Sequence, residues 1–87
     1  MKNPHWFVYV LQGSGKPVFY TGCTTDLSRR ILQHNGKMEG GAKFTRQYRP
    51  WVVAKIYGPF PDRSAAQKAE YKVKRLRGPK RLQWSGL

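Results

Sequence analysis

A chain of 87 residues lies near the lower limit for burying a core of its own, which leaves room for one domain and none for a second folding unit. Its 17 Lys and Arg against 4 acids give a net charge of +13, a field that draws polyanions and opposes self-association. The 39% hydrophobic and 14% aromatic share excludes a disordered tail, and a single cysteine, Cys23, excludes an intrachain disulfide or a thiolate metal cluster.

The opening Met-Lys-Asn-Pro-His lacks the apolar core of a secretion signal, and no apolar run approaches the length that spans a bilayer. A reducing cytoplasmic location is therefore expected. HWFVYVLQ, residues 5–12, is dense in aromatic and β-branched side chains and predicts a first strand. GSGK, residues 13–16, predicts a turn, and PVFYTGC, residues 17–23, a second strand. With that turn as the loop, Gln12 faces Pro17, Leu11 faces Val18, Val10 faces Phe19 and Tyr9 faces Tyr20. Paired residues point to one face of a sheet, so the two phenols become neighbours. A slip of one residue would part them.

Thr24-Thr25-Asp26 offers N-caps for a first helix, LSRRILQHN, which Asn35-Gly36 ends. Leu27 and Ile31 face inward, with Arg30 and His34 as a parallel stripe beside them. KMEGGAKFTRQYRP, residues 37–50, has no period and reads as a mobile loop with one helical turn. WVVAKIYG, residues 51–58, predicts the third strand. The second helix has the clearest pattern: Ser64-x-x-Gln67 fits a capping box, Ala66, Ala69, Val73 and Leu76 form one apolar ridge, and Gly78-Pro79 stops it. Its basic last turns complement the helix dipole. KRLQWSGL, residues 80–87, shows no period. The order β-β-α-β-α predicts an α+β fold in which helices pack on a small sheet.

Four acids restrict where chemistry can sit. Asp26 and Asp62 stand at helix entries, and Glu39 lies in the glycine loop. Glu70 falls at the edge of the apolar ridge, where a carboxylate must reach solvent, pair with a cation or hold a metal. Spacing alone favours an i,i+4 pair with Lys74, worth about 0.3 kcal/mol. Arg30 and His34 read equally as a solvated basic face or as a phosphate fork beside a group that moves protons near neutral pH. Tyr9 and Tyr20 are ordinary strand residues taken singly, and Cys23, with no histidine near it in sequence, reads as packing. The glycines fit neither a Walker loop nor a dinucleotide fingerprint.

The order of these features is more specific than any one of them. A strand tyrosine, a hairpin, Tyr20-Thr21-Gly22, a helix cap, Arg30, His34, a basic loop, a strand and a helix glutamate follow one another as in the GIY-YIG nuclease superfamily, which the chain resembles over about residues 5–78. YTGCTTDLSRRILQHN is the most recognisable segment, while Phe7-Val8-Tyr9 keeps the tyrosine of the first half-motif without its leading glycine. GGAKFTRQYRP and AEYKVKRL resemble the short single-domain bacterial members and the structure-specific endonuclease subunit that cuts branched DNA.

The resemblance implies a three-stranded antiparallel sheet flanked by helices, and a metal-dependent endonuclease that hydrolyses DNA in repair or recombination. It implies that Tyr9 positions or activates the attacking water, that Tyr20 bonds the scissile phosphate or that water, and that Arg30 holds the phosphate oxygens. Glu70 would hold a single Mg²⁺ or Mn²⁺, His34 would transfer protons or bind phosphate, and Gly22 would permit close backbone approach. Arg29, Arg30, Lys43 and Arg46 would bind DNA. One carboxylate suits a one-metal scheme. A phenol is a weak base at its ordinary pKa of about 10, so a metal or nearby cations are expected to lower that of Tyr9. Members of the superfamily usually add a domain that selects the DNA site. Here a flap or junction recognised unaided, or a protein partner, is expected to direct the chain. Two other readings stay open: a nucleic-acid-binding module on the same fold with little or no cleavage, and an RNA- or ribosome-bound protein whose aromatics stack bases.

Overall fold

Trp6–Gln12 (β1) is the central strand of a three-stranded antiparallel sheet ordered β2-β1-β3, with β2 at Phe19–Thr24 and β3 at Val52–Phe60. The computed structural model describes residues 5–15 and 17–86. The first four residues, read above for a signal, Lys16 of the predicted turn and Leu87 of the tail lie outside them. Two helices, α1 (Leu27–His34) and α2 (Arg63–Lys74), complete the α+β order β-β-α-β-α.

Alternation along β1 divides the core. Val8 and Val10 point to one face of the sheet, Tyr9 and Leu11 to the other, and all four are buried. The valines pack with Ala66, Ala69 and Val73 of α2, joined by Phe19, Cys23, Tyr57 and Trp84. Tyr9 and Leu11 pack with Trp51, joined by Tyr20, Leu27 and Ile31. A strand covered on both faces needs apolar residues at every position, which is why VYVL reads as a continuous run.

The hairpin register differs from the predicted one. Gln12 faces Phe19 rather than Pro17, Leu11 faces Tyr20, and Tyr9 faces Gly22. Gly13 N donates to Val18 O at 2.8 Å, so Pro17 and Val18 belong to the connection and not to the strand. The offset is two residues, which preserves parity. Tyr9 and Tyr20 therefore still share a face, with ring centroids 6.5 Å apart.

Asp26 is the cap of α1, accepting from Arg29 N at 3.1 Å. The predicted capping box at Ser64 is not the start of α2. Asp62 takes that place, its carboxylate accepting from Ala65 N at 2.8 Å. β3 continues past Gly58 through Pro59 to Phe60, and an edge strand is where a sheet tolerates proline.

The expected mobile loop 37–50 is instead tied down. A 3-10 turn at Lys43–Arg46 buries Thr45, and the Trp51 indole donates to the carbonyls of Thr45 and Gln47, each at 3.0 Å. Asn35, the C-cap of α1, clasps the Trp51 backbone both ways: Nδ2 donates to O at 2.9 Å and Oδ1 accepts from N at 2.6 Å. Asn35→Ala leaves both backbone groups without this partner and is expected to cost about 2 kcal/mol. In a domain of this size that is a fall of roughly 10 °C in Tm, measurable by circular dichroism. The aperiodic tail is also built in: Gly78–Gln83 forms a 3-10 turn, and Arg81 donates to Leu76 O at 2.9 Å and to Thr21 Oγ1 at 3.2 Å.

Candidate active site

Tyr9 is 1% exposed, and its ring lies across the backbone of Gly22 on the neighbouring strand. A Cβ at Gly22 would sit 2.5 Å from the Tyr9 hydroxyl oxygen and 2.8 Å from Cζ. Only glycine fits opposite this phenol, which gives the third position of Tyr20-Thr21-Gly22 a physical reason. The Tyr9 hydroxyl is 2.8 Å from His34 Nε2. Tyr20, half-buried, brings its ring to 4.8 Å from that of His34 and stacks on Phe44 at 6.2 Å.

Arg30 projects from α1 one turn before His34. Its Nη1 donates to Gln33 Oε1 at 2.8 Å and to Gly40 O at 2.6 Å. The glycine loop reaches the helix this closely because Gly41 has no Cβ, which would strike the Gln33 carbonyl. Held on one side in this way, the guanidinium stands beside the Tyr9 hydroxyl and favours its ionisation.

That pull is outweighed. Burial pushes the Tyr9 phenol up to about 12 against the opposing effect of Arg30, which corrects the expectation that nearby cations lower it. Burial, with the charges of Arg30 and Arg49, pushes His34 down to about 4. At neutral pH the two are a neutral phenol and a neutral imidazole. His34 is fully buried, so the solvated basic face does not include it. Nδ1 lies 2.8 Å from Thr45 Oγ1 and Nε2 is taken by Tyr9. With both nitrogens engaged, the ring has none to offer a phosphate.

The same burial makes folding sensitive to acid. In the unfolded chain His34 returns to about 6.5, so between pH 6.5 and 4 the unfolded state binds a proton that the folded state refuses. Its contribution is complete above about pH 6.5 and is lost as pH falls toward 4, by about 3 kcal/mol across the window. Urea unfolding at pH 7.5 and pH 4.5 is expected to show the lower midpoint in acid. An unchanged midpoint would contradict the burial of a neutral His34.

Glu70 stands on the other layer. It pairs with Lys74 at 2.7 Å, the i,i+4 partner that spacing favours. With burial, its carboxylate also pushes the Cys23 thiol up to about 11. Cys23 directly follows Gly22, over which the Tyr9 hydroxyl lies. Glu70 and Tyr9 thus approach one stretch of β2 from opposite faces, whereas Tyr9, Tyr20, Arg30 and His34 gather on a single face. Among the described residues no group of three or more His, Cys, Asp and Glu is placed to hold a metal. A lone carboxylate fits a small hard ion that keeps most of its water and takes its remaining ligands from phosphate.

Arg29 on α1, and Lys43 and Arg46 on the 3-10 turn, are exposed. Two residues of that turn escaped the sequence reading. Thr45 is buried against His34, and Phe44, 45% exposed, extends the aromatic surface from Tyr20. The one signal in the sequence was the placement of Phe-Thr between two cations.

The GIY-YIG catalytic domain family matches residues 5–83. The UPF0213 protein DP2720 of Desulfotalea psychrophila is 44% identical over 74 residues, covering 85% of this chain and 64% of that protein. UPF0213 protein Reut_B5558 of Cupriavidus pinatubonensis is 40% identical over 79 residues, 88% of this chain and 81% of that protein. The structure-specific endonuclease subunit slx1 of Pyrenophora tritici-repentis is 42% identical over 65 residues, 72% of this chain and 18% of that protein. The chain therefore spans a little under two thirds of the first relative and a small part of the last. The matched segment contains the hairpin, both helices and every site residue described above, and the chain belongs to the GIY-YIG catalytic domain family.

Proposed function

We propose that this chain is an endonuclease that hydrolyses DNA phosphodiester bonds beside the Gly22–Cys23 stretch of β2. The observation that carries this reading is the Tyr9–His34 pair next to Arg30 on one face of that strand, with Glu70 reaching it from the other. Arg30 holds the phosphate oxygens. Its guanidinium is already fixed by Gln33 and Gly40, so little reorganisation accompanies the growth of charge on the phosphoryl group.

Tyr9 serves without becoming a free phenolate, which its high pKa makes costly. The attacking water gives its proton to the Tyr9 oxygen as Tyr9 passes its own to His34 Nε2. The water oxygen bonds to phosphorus, the bond to the leaving oxygen breaks, and that oxygen takes a proton from solvent. His34 then releases its proton through Tyr9 to solvent, which restores the neutral pair and balances the proton taken by the leaving oxygen. Glu70 would hold one Mg²⁺ or Mn²⁺, which supplies Lewis-acid charge at the phosphoryl oxygens. Arg29, Lys43 and Arg46 bind the flanking backbone, and the affinity falls steeply with salt.

The fungal relatives are named structure-specific endonuclease subunits, words that support a substrate chosen by its shape and a partner subunit. The substrate proposed for this chain is a flap or junction, cut under the direction of a partner protein in repair or recombination. The location proposed is the cytoplasm; among the described residues no helix is long and apolar enough to cross a membrane.

The test is incubation with labelled duplex, single-stranded, flap and four-way-junction DNA in Mg²⁺, Mn²⁺ or EDTA. Cutting of a branched substrate is expected with either metal, and none with EDTA or with Glu70→Ala. Binding without cutting under every condition would overturn the proposal in favour of the binding module. Tight binding to single-stranded RNA, unaffected by Arg30→Ala or Glu70→Ala, would favour the RNA-bound protein.

A further inference from the structure

The transfer from Tyr9 to His34 requires a bare Nε2, and a neutral imidazole carries its one proton on either nitrogen. The neighbour on the far side of the ring decides which. Thr45 Oγ1 lies 2.7 Å from Ala42 O and 2.8 Å from His34 Nδ1. A carbonyl oxygen only accepts, so the single hydroxyl hydrogen of Thr45 goes to Ala42 and its oxygen faces His34 as an acceptor. Nδ1 must then bear the ring proton. Nε2 is left to accept from the Tyr9 hydroxyl. The bonds run from Tyr9 to His34 to Thr45 to Ala42 with one direction allowed at each link.

The backbone around this chain holds its spacing. His34 and Thr45 are both fully buried. Arg49 Nε donates to the carbonyls of both, at 2.8 Å and 3.1 Å. Thr45 N donates to the same Ala42 carbonyl at 3.0 Å, which closes the 3-10 turn. A hydroxyl placed with this care at a fully buried position is more than a turn needs.

We propose that Thr45 is a positioning residue, which fixes the tautomer of His34 and so lets Tyr9 pass on the proton of the attacking water. The catalytic half of this inference rests on the endonuclease reading; the hold on His34 does not.

The test begins with nitrogen-15 NMR of the imidazole, which distinguishes the two tautomers whether or not the protein cuts DNA. The parent and Thr45→Ser are expected to show the proton on Nδ1. Thr45→Val keeps the shape but has no acceptor, and the population is expected to move toward Nε2–H. Cleavage by Thr45→Val should then fall on the order of 100-fold in kcat, with KM within about threefold, while Thr45→Ser stays within about threefold of the parent. A parent with its proton on Nε2, a Thr45→Val tautomer unchanged from the parent, or a Thr45→Ser as impaired as Thr45→Val would overturn the proposal. If Thr45→Val fails to fold, the tautomers of the parent and Thr45→Ser still decide it. A parent that cuts no DNA, yet shows the Nδ1 proton and its shift in Thr45→Val, would sink the endonuclease reading and support the hold of Thr45 on His34.

Discussion

Tyr9→Phe is expected to lower single-turnover cleavage by about 10²- to 10⁴-fold and to leave DNA affinity within about twofold. The ring remains, so its packing across Gly22 and in the Leu11–Trp51 cluster is kept. What disappears is the oxygen proposed to receive the water proton and the hydrogen bond to His34 Nε2. The orphaned acceptor is buried and should cost about 1–3 kcal/mol of stability, so rates must be compared at a temperature where both proteins are folded. Rapid-quench kinetics with enzyme in excess, beside a filter-binding titration, separates loss of chemistry from loss of binding. A rate within tenfold of the parent would place the proton acceptor elsewhere.

Arg30→Lys is expected to fail nearly as badly, by about 10²- to 10³-fold, although the charge is kept. The guanidinium donates through one nitrogen to Gln33 and Gly40, which leaves its remaining N–H groups for the Tyr9 oxygen and for the phosphate in the proposed mechanism. An ammonium is a point donor and cannot hold the loop and grip a phosphate in a plane at the same time. Single-turnover rates measure this too. A lysine variant with parental activity would show that only the charge at this position matters.

The fold was legible because it rests on local patterns. β-branched and aromatic runs marked the strands, and Ala66, Ala69 and Val73 marked the buried side of α2. The hairpin register was not, because Pro17 and Val18 have strand-like composition yet lie in the connection. Parity rescued the neighbourhood of Tyr9 and Tyr20, since only an odd slip turns a side chain over. The order in residues 37–50 was hidden for a different reason. Its hydrogen bonds run to His34 and Trp51, partners that no short window contains. The Tyr9 pKa was misjudged by weighing charge without burial, and the burial follows from β1 being the central strand. Nor does a helical ridge state which face of a sheet it covers, so the position of Glu70 on the layer opposite Arg30 could be learned only from the three-dimensional arrangement.

The proposed cut requires Tyr9 and Glu70 to serve the same phosphate across the edge of β2. Paramagnetic relaxation by Mn²⁺, read on the amide resonances of the protein bound to an uncleavable DNA flap, tests this most directly. Mn²⁺ held by Glu70 is expected to broaden the amides of Gly22, Cys23 and Tyr9, and Glu70→Gln to abolish that broadening. Broadening that leaves Gly22 and Tyr9 untouched, or that survives Glu70→Gln, would contradict a single site shared by the two faces.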